Sequence, residues 1–507
     1  MAEFSSFTDF MDTLKAKMAE VFHLRADLDQ MSLKRGLPPF VMDEIMSVNP
    51  LSVAIPEEYG GRGGKMHENI ALLEATSYES LALSLTLGIN SALFLQPLSK
   101  YGHHEVKKPV FERFLTQRNM GGLMITEPGY GSDALSMQTS YSEEDGEYLI
   151  KGKKHWAGLT GLADYWLLTA RKKTATGELQ RDIDFFVCDV QSSGQKIVVE
   201  ELFENLGLYM IPYGRNHIDV RVPAIHRLQP HTTGVKMMLD LLHRSRMQFP
   251  GLGVGFIKRM MDEGIAHCNE RLVGGKSLYQ YDQVQERLSK LQASYTVCLA
   301  MCANSSEKAG IEYDLSANGL EANAVKSVVT DLMHDAAQSA LQLLGAKAYK
   351  LNHIVGRGTS DSRPFQIFEG SNDILYAQIS ESLVKLMKRA KENNLYRFLE
   401  GFHLTSRVAT YIKGSLNFNL DFQMPQRKLV EMGKLIARVI SLNQVLELAE
   451  KGYRQDMISL GVNMLQQQIS AQLSSYLFTN RDQVIEDYNE GGSWFDLSTR
   501  LVQVRSL

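Results

Sequence analysis

The sequence predicts an α+β, multidomain protein in which a small, mostly antiparallel β-domain sits between helical regions. Two observations predict it. Apolar residues return every three or four positions on both sides of a central stretch, and within that stretch the pattern changes to short β-like runs separated by turn residues. A chain of 507 residues is about three times a typical domain length, which leaves room for several lobes around a large core.

Up to about Leu123 the helical period runs through Phe40–Met46, Ile70–Leu81 and Leu93–Leu98, punctuated by the glycine-rich loop from Pro56 to Gly64. The β-like runs are Tyr148–Lys151, Tyr165–Ala170, Ile183–Asp189, Lys196–Glu200 and His217–Val222, with turn signals at Asp145-Gly146, Thr176-Gly177 and Ser192-Ser193-Gly194. After Pro223 the helical period returns and persists to about Lys388, broken between Gly345 and Gly358. A further helical stretch runs from about Gln426 to Leu477 and ends in a polar tail around Glu490-Gly491-Gly492. The chain has no repeat of solenoid length and no low-complexity tract.

Composition narrows the function classes. Hydrophobic residues are 44% of the chain and charged residues 22%, ordinary for a globular protein, and the net charge of −4 argues against a dedicated nucleic-acid surface. The basic pairs Lys107-Lys108 and Lys153-Lys154 read as solvated faces. Cys188, Cys268, Cys298 and Cys302 form no CxxC pair, and Cys298 and Cys302 share one helical face, which points to packing rather than a metal site. The N-terminus carries Glu3, Asp9 and Asp12 and lacks the pattern of a secretory or transit peptide. No stretch approaches the roughly 20 uninterrupted apolar residues of a membrane span, so a cytoplasmic location is expected.

Three motifs carry chemistry. Met124-Ile125-Thr126-Glu127-Pro128-Gly129-Tyr130-Gly131-Ser132-Asp133 offers glycines for close backbone approach and hydroxyl donors at Thr126 and Ser132. Lys151-Gly152-Lys153-Lys154-His155-Trp156-Ala157-Gly158-Leu159-Thr160-Gly161-Leu162-Ala163-Asp164 follows it. Gln366-Ile367-Phe368-Glu369-Gly370-Ser371-Asn372-Asp373-Ile374 comes much later. In this order and at these separations they resemble the acyl-CoA dehydrogenase family, with signatures TEPxxGSD, KGxKxWITNGxxAD and IYEGTxxI. Further matches are Ile55–Gly61, Glu270-Arg271, Gly275-Lys276 and Gln342-Leu343-Leu344-Gly345. The resemblance covers about residues 40 to 385.

The resemblance implies an N-terminal helical domain (1–122), a central β-domain (123–234), a C-terminal four-helix domain (235–388) and a helical extension (389–507). It also implies FAD between the β-domain and the four-helix domain. Glu369 falls at the family's glutamate, which takes the α-proton of an acyl thioester while the β-hydrogen leaves as hydride to flavin N5. Burial beside Phe368 and an acyl chain would raise its basicity. Ser132, His243, Ser245, Arg246 and Gly370 fall on the substrate side. Met124, Ile125, Thr126, Gly131, Ser132, Trp156, Ala157, Gly158, Ser371 and Asp373 fall on the flavin side. Arg271, Gln342, Gly345 and Ala346 would touch the nucleotide half of a neighbouring subunit's FAD, which implies a homodimer or homotetramer. No metal is implied.

The sequence departs from the family at several places. Gly158 replaces the threonine that contacts flavin N5, leaving a backbone amide or Thr160 to substitute; Gly274 replaces an aromatic residue; and Ser360 replaces an arginine, although Asp361 is retained. His243 replaces an aspartate that contacts pantetheine in some members, and the usual G-x-R-x-S is absent after Gly207, which leaves the carrier open between CoA and acyl carrier protein. Leu85, Gly88, Ile89 and Ala92, on the helix expected to line the acyl pocket, are apolar or small and suit a medium or long straight chain. The extension, with Leu429, Met432, Leu435, Ile436, Val439 and Ile440 at helical spacing, is similar in position to that of very-long-chain members and reads as a packing cover rather than a membrane anchor. The expected activity is α,β-dehydrogenation of a saturated acyl thioester to the trans-2-enoyl product, with an electron-transfer flavoprotein as partner. Alternatives are an acyl-CoA oxidase or flavin monooxygenase using oxygen, or a non-catalytic assembly protein.

Overall fold

The computed structural model describes residues 6–27, 39–478, 483–490 and 493–498; Glu3 and Gly491-Gly492 lie outside the described residues. The N-terminal region is built from α1 (Phe7–Ala19), α2 (Pro39–Met46), α3 (Met66–Glu79), α4 (Leu81–Asn90), α5 (Gln96–Tyr101) and α6 (His104–Gln117). Ser80 caps α4 by accepting a hydrogen bond from the Leu83 amide. A π-turn at Ser91–Leu95 joins α4 to α5, so Leu81–Tyr101 is one helical run of 21 residues that is long and apolar enough to cross a membrane, contrary to the expectation from the sequence. Its apolar surface is spent inside the fold instead, with 94% of the window buried.

The β-domain contains β1 (Gly121–Met124), β2 (Ser140–Glu144), β3 (Glu147–Gly158), β4 (Tyr165–Lys172), β5 (Asp184–Asp189), β6 (Gln195–Leu202) and β7 (Tyr213–Pro223). Strand order is β1-β4-β2-β3-β7-β6, with β5 also paired to β4. The β1–β4 and β2–β4 pairs are parallel and the others antiparallel. The runs Tyr165–Ala170 and Phe185–Cys188 are buried throughout, as central strands require, whereas β6 is mostly exposed and carries Lys196, Glu200 and Glu201 along its edge. Neither β1 nor β2 was expected from the sequence, because Gly-Gly-Leu-Met and Ser-Tyr-Ser-Glu-Glu carry few β-branched residues.

The C-terminal helical domain comprises α7 (Gly234–Arg246), α8 (Phe249–Glu270), α9 (Asp282–Lys308), α10 (Gly319–Leu344), α11 (Ile354–Ser362) and α12 (Asn372–Ala390). Thr233 caps α7, the helix that carries Ser245 and Arg246, through the Lys236 amide. Between α8 and α9, β8 (Leu272–Val273) and β9 (Lys276–Ser277) form a two-residue hairpin. Gly274 and Gly275 have φ of 55° and 81°, and a hairpin turn with two positive φ angles favours Gly, Asn or Asp over an aromatic residue at the first position and glycine at the second. That geometry accounts for Gly274 where the family has an aromatic residue.

The extension adds α13 (Leu395–Gly401), α14 (Ala409–Leu416), α15 (Gln426–Glu450) and α16 (Gln455–Leu477). The stretch read as a single helical run is thus a pair of helices broken at Lys451–Arg454. α15 packs on α9, α10 and α12, and α16 packs on α9 and α15. The approach of α15 to α12 is close enough that a Cβ on Gly433 would lie 1.9 Å from the Tyr376 carbonyl oxygen. The residues from Leu435 to Val445 are continuously buried, so this helix is a core element of the C-terminal half.

Candidate active site

The last motif forms a strained turn at the start of α12. Glu369 has φ of 52° and Gly370 φ of 90°, and a glutamate in the left-handed region persists only where its surroundings over-determine it. Arg246 does much of that work. Its Nε and Nη2 donate to the Glu369 carbonyl oxygen at 3.1 and 2.8 Å, and its Nη1 donates to Asn323 Oδ1 at 2.7 Å. From the next α10 turn, Lys326 Nζ donates to the Gly370 carbonyl at 2.9 Å and to Asn372 Oδ1 at 3.0 Å. Gly370 has no space for a side chain, because a Cβ there would lie 2.8 Å from Leu375 and 3.4 Å from Arg246.

The Glu369 carboxyl is asymmetric. Ser245 Oγ donates to Oε1 at 3.0 Å, while Oε2 is buried without a hydrogen-bond partner among the described residues. Burial raises the pKa of this carboxyl, and the charge of Arg246, the Ser245 hydrogen bond and Lys326 only partly offset it. The cations feel the same enclosure: burial pushes Arg246 down to about 10 and Lys326 down to about 7, opposed in both by Glu369. Phe368 packs on Phe365 and Phe249, with ring centroids 4.9 and 6.3 Å apart, behind the turn.

The first two motifs are fastened to each other. Lys154, expected at a solvated face, is 0% exposed and donates to Glu127 Oε1 at 2.9 Å, to the Ile125 carbonyl at 3.1 Å and to Thr169 Oγ1 at 3.0 Å. Burial pushes this lysine down to about 8, against the pull of Glu127. The His155 amide donates to the Thr126 carbonyl at 2.8 Å, and Met124, at the end of β1, accepts from Thr169 Oγ1 at 3.0 Å. The loop from Met124 to Asp133 is therefore held against the strand that carries Trp156. That strand bulges between His155 and Ala157. Trp156, with φ of 56°, projects from the bulge with half of its surface (51%) exposed. Phe203 and Tyr213 lie 4.6 and 6.1 Å from its ring. Gly131 and Ser132 are exposed, and nothing lies within 4 Å of a Cβ placed on Gly129 or Gly131.

The departures from the family pattern have local causes. A Cβ on Gly158 would lie 2.8 Å from Ile89 Cδ1 and 3.4 Å from the Tyr213 ring, so Ile89 fills the space a larger residue would need. Thr160 does not substitute for the missing threonine: it is buried, donates to the Ala157 carbonyl at 2.7 Å and accepts from Asn216 at 3.1 Å. A Cβ on Gly88 would meet Leu73 of α3, a different direction from that of Ile89. His243 is buried and its Nδ1 donates to the Leu315 carbonyl at 2.7 Å; burial pushes it down to about 4, so it is neutral at physiological pH.

The remaining residues named from the sequence lie at the margins. Ser371 is the N-cap residue of α12, and Asp373 is exposed with its carboxylate 3.9 Å from Lys434 of the extension. Arg271, Gln342, Gly345 and Ala346 are all exposed at the C-terminal ends of α8 and α10. Sequence reasoning missed Lys326, Asn323 and Asp331. The signal for Lys326 was a lone charge inside the apolar run Ala324-Val325-Lys326-Ser327-Val328-Val329.

Comparison with known proteins follows this division of the chain. Family models for the acyl-CoA dehydrogenase N-terminal, middle and C-terminal domains match residues 9–118, 122–220 and 232–384. Glutaryl-CoA dehydrogenase of Desulfococcus multivorans is 27% identical over 323 residues, covering 63% of this chain and 82% of that one. The mitochondrial very long-chain specific acyl-CoA dehydrogenase of Rattus norvegicus is 24% identical over 399 residues, covering 76% of this chain but only 59% of its own length. Among solved structures, butyryl-CoA dehydrogenase from Megasphaera elsdenii superposes with a TM-score of 0.66 at 20% identity, covering 76% of this chain and 100% of that one. An acyl-CoA dehydrogenase complexed with FAD from Bacillus anthracis superposes with a TM-score of 0.76 at 17% identity, covering 99% of this chain and 92% of that one, so the fold it shares includes the extension. With three consecutive domain matches that together span most of the chain, the chain belongs to the acyl-CoA dehydrogenase family, FAD-dependent oxidoreductases acting on CH–CH bonds.

Proposed function

We propose that this chain dehydrogenates a saturated acyl thioester to its trans-2-enoyl product, with Glu369 as the base that removes the α-proton. One observation carries the reading: Glu369 Oε2 is buried and unpartnered among the described residues while Oε1 is fixed by Ser245. An α-proton beside a thioester leaves only if a base is in place and the developing charge is stabilised. Oε2 has its lone pairs available, and burial has made the carboxylate more basic. Arg246 holds the turn by its backbone carbonyl and leaves the carboxylate oxygens unoccupied. The α C–H bond breaks toward Glu369, the α–β double bond forms, and the β-hydrogen departs with its electron pair. FAD, when bound, supplies the acceptor for that hydride.

The residues fit the flavin. Trp156 offers a half-exposed ring, the glycines at 129 and 131 leave open space, and the loop behind them is rigidly tied by the Lys154–Glu127 pair. Met124, Ile125, Thr126, Gly131, Ser132, Trp156, Ala157 and Gly158 would hold the ring end, with Ser371 and Asp373 at its margin. The exposure of Arg271, Gln342, Gly345 and Ala346 supports contact with the nucleotide half of a neighbouring copy's FAD, in a homodimer or homotetramer. Ser132, His243, Ser245, Arg246 and Gly370 form the substrate side. The carrier is CoA or an acyl carrier protein, the electron acceptor an electron-transfer flavoprotein, and the location cytoplasmic.

The test is anaerobic mixing of the FAD-bound protein with a panel of acyl-CoA and acyl-carrier-protein thioesters. Bleaching of the flavin by at least one saturated thioester is expected. Retention of FAD without bleaching by any of them contradicts the reading, and rapid oxygen consumption by the reduced protein would make it an oxidase.

A further inference from the structure

The turn at Glu369 is braced from behind by a buried polar chain that ends outside the region matched by the family models. Lys326 binds the Gly370 carbonyl and Asn372 Oδ1 at 2.9 and 3.0 Å. The same Asn372 amide donates through Nδ2 to Asp331 Oδ1 at 2.8 Å and to Thr330 Oγ1 at 3.0 Å. Asp331 also accepts from Gln366 Nε2 at 2.9 Å, three residues before Glu369, and from Tyr376 at 2.6 Å on α12. The charge opposite Asp331 is supplied by the extension: Arg438, in the middle of α15, donates from Nη2 to Asp331 Oδ2 at 2.8 Å and from Nη1 to the Tyr376 hydroxyl.

The polarity of this chain is fixed link by link. Lys326 requires an acceptor from Asn372, and ionised Asp331 requires a donor, so the amide has one orientation that satisfies both. Residues 366 and 372 bind the Asp331 carboxylate directly and residue 370 reaches it through Lys326 and Asn372, and Arg438 holds that partly buried carboxylate ionised. The left-handed φ at Glu369 needs such over-determination. α15 is itself fixed on α12, by the close approach at Gly433 and by the Ser380 hydroxyl donating to the Leu429 carbonyl at 2.6 Å.

We propose that the extension is a working part of the active-site frame, and that Arg438, acting through Asp331 and Asn372, is a positioning residue for the base Glu369. The proposal rests on Glu369 as the base. Removing Arg438 leaves Asp331 without its counter-charge, so Asn372 and Gln366 lose a fixed acceptor and the turn gains alternative placements. Misplacement of a base by a fraction of an ångström lowers the rate of proton removal more than it weakens thioester binding.

The experiment is anaerobic stopped-flow reduction of the FAD-bound protein by octanoyl-, palmitoyl- and stearoyl-CoA, with the limiting rate and the half-saturating concentration measured separately. Arg438→Gln is expected to lower the limiting rate roughly tenfold or more, with the half-saturating concentration changed by less than about twofold. Arg438→Lys should recover part of the rate. Gln444→Ala, which removes another polar contact between α15 and α10, should react like the wild type. The double variant Asp331→Asn with Arg438→Gln removes both charges, so that no buried ion is left unpaired if the single variant fails to fold; it too should fold, bind FAD and react slowly. Wild-type rates in Arg438→Gln or in the double variant overturn the proposal, as does loss of the fold in both, which would make the brace a stability element alone. Glu369→Gln, run alongside, separates the two claims: full activity there removes the base assignment itself, whereas an inactive Glu369→Gln with fully active Arg438 variants removes only the brace.

Discussion

Ser245 and Glu369 meet through one hydrogen bond of 3.0 Å, from the serine hydroxyl to Oε1 of the carboxylate. The bond favours the ionised carboxylate, against the burial that favours its protonated form. Ser245→Ala removes a contribution that lowers the pKa of Glu369, so the midpoint of the rise in flavin-reduction rate with pH should move to higher pH. The pH profile of the limiting rate checks this. An unmoved midpoint would mean that Ser245 does not set the basicity of Glu369.

Glu369 should also carry a stability penalty. Its folded pKa is raised above the unfolded value, so its stabilising contribution is full below the unfolded pKa and is lost as pH rises through the folded one. Glu369→Gln is therefore expected to unfold at a higher temperature than the wild type near pH 8, with the difference shrinking near pH 5. Thermal unfolding of both proteins across that range is the measurement; a variant less stable than wild type at pH 8 would contradict it.

The Lys154–Glu127 pair is buried on both sides. Lys154→Met would leave Glu127 as an unpaired buried carboxylate, which costs about 3–5 kcal/mol. The variant should melt well below the wild type and lose FAD on gel filtration, because the Met124–Asp133 loop is tied to β3 through this lysine.

Gly158→Thr tests the space that Ile89 occupies. The new Cβ would lie 2.8 Å from Ile89 Cδ1, and overpacking of this kind costs about 1–3 kcal/mol. Thermal unfolding should show the loss in the single variant and recovery in Ile89→Ala with Gly158→Thr. Equal stability of the two variants would mean that Ile89 is not the obstacle.

The residues legible in the sequence were those that lie in contiguous motifs. Glu369-Gly370, Trp156 and the Met124–Asp133 loop each lie in a short contiguous motif, so their identities could be read locally although distant residues such as Arg246 and Lys154 hold their shapes, and the period change near Tyr148 announced the β-domain. Lys326, Asp331 and Arg438 were not legible as a set, because Asp331 and Arg438 stand 107 positions apart and the three meet only once α10, α12 and α15 are packed. Lys154 was misread because two adjacent lysines look solvated until the strand's alternation sends one outward and the other to Glu127. β1 escaped notice because its pairing with β4, rather than its own Gly-Gly-Leu-Met, makes it a strand.

The central claim is that Glu369 removes the α-proton, and anaerobic reduction of the bound flavin in Glu369→Gln tests it most directly. With a saturated thioester that bleaches the wild-type flavin, the account predicts a rate lower by about a hundredfold to ten-thousandfold in a variant that still folds and holds FAD. Bleaching at the wild-type rate would contradict it and move the base to another residue.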